Sequence, residues 1–378
     1  MRKRFTIKSL LLISLSFLLF AIASCKKDKP VTPKVVDATP VKIGLYEQSD
    51  SIIYKILFIP VTKLGTQTLS TNFNALVFDT GSGGMVIDAE GILPTSMITT
   101  SGFNFTGDST VVDGITITNQ TNTIQYGDDA STTSTVYGNL AYADVTVGDE
   151  TGNVVIKRIA FLLYYKATDS KGNSYPSHEF DVFGVNPEYD IPIGRNSTVA
   201  IESPFTYYTP GTGLTKGFKM GALGTSNFSS ANEIPITPGV ITLGLTAADL
   251  ASSSDFTTST LEYNANEGAN PYLPATITYN SKSISANVLF DTGTDPYNYI
   301  EDNTAANTIT QLPANTPVKV LLTTGFDYSF TTTSTDYLTQ VENPNTSTDP
   351  ITILSLEYFL NNEYMLDYTD HTLGLKNN

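Results

Sequence analysis

From about residue 42 onward the chain is built of short apolar runs separated by polar clusters. Ile52–Ile59, Ala75–Phe78, Ala143–Val147, Val154–Leu163, Gly239–Leu245, Thr276–Tyr279 and Asn287–Phe290 are rich in Val, Ile, Thr, Tyr and Phe. Branched and aromatic side chains of this kind fit a pleated surface. Within Ala143–Val147 the order Ala, Asp, Val, Thr, Val alternates, as a half-buried strand requires. Gly, Asn, Asp and Ser punctuate the runs, so the pattern predicts a mostly β protein. Sustained helical periodicity is absent; helix is expected only as short pieces around Ala247–Ala251 and Leu356–Leu366. Thr331–Thr335 and Asn343–Asp349 read as loops.

One stretch recurs at long range. Ala75-Leu76-Val77-Phe78-Asp79-Thr80-Gly81-Ser82 returns as Ala286-Asn287-Val288-Leu289-Phe290-Asp291-Thr292-Gly293-Thr294, 212 residues later. That separation is far longer than a solenoid or propeller unit. It predicts two similar lobes with a boundary near Pro235 and Pro238: an N-terminal β lobe over 44–236 and a C-terminal β lobe over 237–378.

The first 24 residues break the pattern. Arg2, Lys3 and Arg4 precede an apolar run from Leu10 to Ala23, shorter than the ~20 residues that span a bilayer as a helix. The run ends Ile22-Ala23-Ser24-Cys25, which resembles the lipobox of bacterial lipoproteins. Residues 1–24 are therefore expected to be a lipoprotein signal peptide and Cys25 the lipidated residue. Residues 25–43, charged and proline-containing, are expected to form a polar tether. The body would then be extracytoplasmic in the bacterial cell envelope, anchored in a membrane, with the outer membrane expected.

Composition narrows the chemistry. The formal net charge of −16 over 378 residues disfavours a nucleic-acid partner. One cysteine and two histidines, His178 and His371, cannot supply a disulfide framework or a Cys/His zinc site, and no metal is expected. Both histidines stand in polar contexts and are expected to be solvated surface residues. No Gly-x-Ser-x-Gly motif marks a serine nucleophile, and no Lys follows Gly81-Ser82-Gly83-Gly84 as a phosphate loop would need.

The repeated Asp-Thr-Gly carries the remaining signal. A single copy is weak in a threonine-rich chain, where it can be an ordinary turn after a strand. Both copies, however, have Phe immediately before them, Ser or Thr immediately after, and Val two or three residues upstream. An apolar strand ending in Asp-Thr-Gly presents a carboxylate at a turn, and glycine lets another backbone come close. If two lobes bring Asp79 and Asp291 together, like charges a few ångströms apart cannot both ionise. One carboxyl then keeps a proton while the other acts as base on a water between them.

At this point the sequence resembles the pepsin-like aspartic peptidases, from about residue 45 to the end. Thr123-Ile124-Gln125-Tyr126-Gly127 and the stretch Gly138 to Gly148 look like that family's flap hairpin. Phe180-Asp181-Val182-Phe183-Gly184-Val185 looks like the strand supporting the first aspartate. Gly239 to Gly244 resembles the glycine-rich strand opening the second lobe, and Ile353-Leu354-Ser355, Tyr358–Asp367 and Leu373–Leu375 resemble the closing pattern. The resemblance implies a bilobal fold of two pseudo-symmetric β lobes with a cleft between them, and a site complete within a monomer. Asp79 and Asp291 would be the catalytic pair. Thr80 and Thr292 would bond across the lobe interface, Gly81 and Gly293 would complete the turns, and Ser82 and Thr294 would donate to the outer carboxylate oxygens. Tyr126, followed by Gly127, would be the flap tyrosine over an extended polypeptide substrate. No cofactor is implied. Ser355 stands where the family usually has glycine, and the chain has no tryptophan. Two other readings share some of these signals: a non-catalytic peptide- or glycan-binding lipoprotein of the same fold, and a glycan-binding β-sandwich in which the repeat is coincidence.

Overall fold

The computed structural model describes residues 38–50, 53–69, 75–127, 133–149, 154–189, 200–231, 236–344 and 349–378. The expected signal peptide over 1–24, Cys25 and residues 26–37 of the expected tether lie outside them. Ala38–Asn378 form one compact body, whose first strand, Val41–Ser49, already buries Ile43 fully.

Strands occupy the apolar runs named above, the first of them only from Lys55 onward. Where one face is wet, the alternation is strict: along Pro317–Leu322, Val318, Val320 and Leu322 are buried while Lys319 and Leu321 face solvent. The long strand Val154–Thr168 contains a near-continuous buried run from Ile159 to Tyr164, because it lies between Ser134–Val147 and Gly83–Asp88 inside the sheet.

The two lobes repeat one local topology. In the first, Ala75–Asp79 runs parallel to Val182–Val185, which pairs antiparallel with Gly83–Asp88, which runs parallel to Val154–Thr168. In the second, Lys282–Phe290 runs parallel to Ile351–Leu354, which pairs antiparallel with Tyr297–Glu301, which runs parallel to Leu338–Glu342. Each Asp-Thr-Gly therefore leaves its strand at the same place in the same frame. In the first lobe the frame closes on itself. Val154–Thr168 pairs with Ser134–Val147, which also meets Lys55–Leu64, itself paired with Ala75–Asp79. The second lobe's frame lies in an eight-stranded sheet. Strands from both ends of the chain share the larger sheet, where Val41–Ser49 pairs with Ile236–Leu245 and the series continues through Thr215–Met220 to Asn362–Asp367 and Thr372–Asn377.

Neither expected helix forms as an α-helix. Asp249 accepts from the Thr246 backbone and hydroxyl while its own N–H donates to Thr246 Oγ1, closing one turn that the chain does not extend into a helix. Leu356–Leu360 is a 3-10 turn capped by Ser355, and Asn362–Asp367 is a strand held between two partners. The spacing of Leu356, Phe359, Leu360 and Leu366 suits a helix face, but sheet pairing on both sides overrides it.

Candidate active site

The two Asp-Thr-Gly turns meet head to head. A methyl group built on Gly81 would overlap the Asp291 carboxyl, and one on Gly293 would lie 2.7 Å from Asp79 Cγ. Each glycine thus passes directly against the opposite carboxyl, an approach that any side chain would block. Both carboxyl groups are buried, yet they line one cleft of about 540 Å³. A β-sandwich in which the repeat is coincidence would keep them apart; that reading is excluded.

The loops are locked by a reciprocal bond set. Thr80 N donates to Thr292 Oγ1 and Thr292 N to Thr80 Oγ1, both at 3.0 Å. Each hydroxyl then donates onward, Thr80 to Phe290 O at 2.8 Å and Thr292 to Phe78 O at 2.7 Å. All four groups are buried, so the bonds fix the separation of the two turns with little freedom.

Around Asp79, Gly81 N and Ser82 N donate to Oδ1 at 2.7 and 3.1 Å, and Ser82 Oγ donates to Oδ2 at 2.6 Å. Around Asp291, Gly293 N donates to Oδ1 at 2.7 Å and Thr294 Oγ1 to Oδ2 at 2.5 Å. Burial and the neighbouring Asp79 charge push the Asp291 carboxyl well above the usual carboxylate range, against the pull of Thr294. Both causes favour the protonated carboxyl, as two facing carboxyls that titrate as a pair require.

The supporting layer differs between the lobes. Gly184 lies beneath the first turn with Ser82 O only 2.5 Å from where a Cβ would stand. Ser355, at the corresponding place in the second lobe, has room for its side chain and uses it to cap the 3-10 turn, while its N–H donates to Asn298 Oδ1 at 2.9 Å.

Three supporting features were not visible in the sequence. Buried Asn186 donates to the carbonyls of Thr80 and Gly81 at 3.2 and 3.1 Å, and its own N–H reaches Ser82 O. Beside the second turn, Asp295 Oδ2 accepts from Lys55 N at 2.6 Å, and burial pushes its carboxyl up to about 7. Lys55 Nζ in turn makes a buried ion pair with Glu357 at 2.6 Å. The only available signals were a lone lysine in an apolar run and an aspartate four residues after Asp291.

Tyr126 ends the strand Ile115–Tyr126, lies opposite Ser134 of the returning strand, and lines the cleft together with Gly127 and both aspartates. His178 departs from the expectation of a solvated side chain. It is half-buried, and Nδ1 lies 2.9 Å from Asp181 Oδ2, whose hydrogen bond raises the imidazole above its ordinary value. The ring of His371 stacks on Tyr263 with centroids 4.0 Å apart. Among the described residues no group of three or more His, Cys, Asp or Glu could hold a metal ion.

By sequence the chain matches no protein-family model and no curated protein. By structure it is similar to the aspartic proteinase from Irpex lacteus, with a TM-score of 0.54 at 15% identity, over 90% of this chain and 97% of that one. It is similar also to basic 7S globulin from soybean, with a TM-score of 0.53 at 11% identity, over 89% and 95% of the two chains. At these identities the likeness carries the fold alone: a mostly β, bilobal architecture of the pepsin-like aspartic proteinase type.

Proposed function

We propose that this chain is an aspartic endopeptidase that hydrolyses peptide bonds with water activated between Asp79 and Asp291. The observation that carries the reading is the crossed seating of the two carboxyls, each against the other loop's glycine. In the reaction Asp79 takes a proton from the water as its oxygen bonds to the scissile carbonyl carbon, while Asp291 gives its proton to the carbonyl oxygen. The tetrahedral intermediate then collapses: the C–N bond breaks, the amine leaves with the proton from Asp79, and the hydroxyl proton returns to Asp291. Ser82 and Thr294 orient the outer oxygens, and Thr80 and Thr292 hold the turns in register. The cleft takes an extended polypeptide, with Tyr126 and Gly127 as the flap residues beside it. Because one chain carries both turns, the site works in a monomer. Cys25 would carry the lipid that anchors the body to the outer membrane, outside the cytoplasm.

The test is hydrolysis of an unstructured protein by residues 30–378 from acidic to neutral pH, with and without pepstatin, beside Asp79→Asn. Pepstatin-sensitive cleavage, lost in the variant while its fold persists, is the expected result. The same fold is shared with a chain named as a globulin, which favours one alternative: a non-catalytic peptide-binding lipoprotein. A folded sample that cleaves nothing at any pH would replace the endopeptidase with that reading.

A further inference from the structure

We propose that Phe180 and Tyr175 form a fixed aromatic seat for Tyr126, making Phe180 a positioning residue of the cleft. The Tyr126 ring stacks on Phe180, with centroids 5.7 Å apart and planes at 20°. Phe180 meets Tyr175 edge-on at 4.9 Å. Tyr175 Oη lies 2.9 Å from Ser134 Oγ, and Ser134 is the residue paired with Tyr126 across the hairpin. The contacts therefore close a circuit that grips both strands at the cleft end, one by a ring and one by a hydroxyl. Removing the seat takes the stacked ring from Tyr126 and leaves the strand Ile115–Tyr126 held at this end by its pairing with Ser134–Val147.

The seat is tied to the frame of the first aspartate. Phe180 N donates to Tyr164 Oη at 3.3 Å. Next to it, Asp181 Oδ1 accepts from Asp88 N at 2.7 Å and Oδ2 meets His178. The Asp181 carbonyl accepts from Val77 N at 2.9 Å, two residues before Asp79. Tyr126 is thus located relative to Asp79 through Phe180 as well as through the sheet. Tyr126 lines the cleft, so this linkage sets how firmly a peptide is held there, a loss that reads out in KM. That functional half rests on the endopeptidase reading; the seating of Tyr126 does not.

The experiment uses the full-length chain in detergent and compares wild type with Phe180→Ala, Phe180→Tyr and Tyr175→Phe. Peptide hydrolysis is resolved into kcat and KM, and amide hydrogen exchange is followed at Gln125–Gly127 and at Val77. In Phe180→Ala, KM should rise about tenfold with kcat within about threefold, and exchange at Gln125–Gly127 should accelerate while Val77 stays protected. Phe180→Tyr, which keeps the ring, should restore both readouts. Tyr175→Phe should give an intermediate effect. Wild-type KM and exchange in Phe180→Ala would overturn the proposal, as would faster exchange at Val77 in parallel with the hairpin, which marks general loosening. If the wild type hydrolyses nothing, the endopeptidase reading fails, and exchange at Gln125–Gly127 alone decides whether Phe180 seats Tyr126.

Discussion

Thr292 shows how much one side chain does at this interface. Its hydroxyl accepts from Thr80 N and donates to Phe78 O, so one oxygen satisfies two buried backbone groups of the opposite lobe. Thr292→Val keeps the shape and removes both bonds, leaving a buried donor and acceptor unmet at about 1–3 kcal/mol each. Urea denaturation should show a loss of roughly 2–6 kcal/mol, and under the proposed function proteolysis should fall because the two turns are no longer held in register. Thr292→Ser keeps the hydroxyl and should recover most of both. A Val variant as stable and active as wild type would remove Thr292 from the locking set. This level of detail was partly legible: the Asp, Thr and Gly positions stand in a contiguous motif that occurs twice. Asn186 was not legible, because it acts on a carbonyl 106 residues away and nothing beside it in sequence marks that bond.

At the scale of elements, Lys55 and Glu357 fasten the start of the strand Lys55–Leu64 to the 3-10 turn Leu356–Leu360, although they are 302 residues apart. Both side chains are buried, at 8% and 2% exposure, so removing one charge strands the other. Lys55→Met should cost about 3–5 kcal/mol, while the double variant Lys55→Met/Glu357→Leu should recover much of it, since an apolar replacement of the whole pair leaves no lone charge. Chemical denaturation of the four proteins in a double-mutant cycle measures this directly, and additive losses would refute it. The element level was legible in strands and illegible in pairing. Alternation told which runs were strands and which face was buried. The Leu356–Leu366 segment was misread because its apolar spacing fits a helix, and only the flanking strands, from distant parts of the chain, turn its second half into sheet.

For the whole molecule, the titrating groups point in one direction above pH 4. Burial pushes the Glu47 and Asp295 carboxyls each up to about 7 and raises Asp291, Asp181 and Glu357 as well. A carboxyl that binds its proton more tightly when folded contributes stability below its unfolded pKa and loses that contribution as pH rises through the folded value. His178, raised by its bond to Asp181, behaves the same way: its contribution is full below about 6.5 and is lost above its folded value. Self-repulsion from a net charge of −16 adds to the loss as acidic groups ionise. The opposite limb comes from Asp302. Burial alone would raise it, but hydrogen bonds from Tyr279, Thr304 and Lys282 hold it well below the usual range, so its contribution is full above about 4 and is lost progressively as pH falls further. Thermal unfolding followed from pH 3 to 8 should therefore give a maximum Tm between about 4 and 6 and a decline of several degrees by pH 8. Glu47→Gln and Asp295→Asn should each flatten the decline, since an amide does not ionise. A Tm that rises from pH 5 to 8 would contradict this sign. Asp291 is raised by the same burial, so the acidic side of the titration that firms the fold also favours the protonated carboxyl the proposed dyad uses.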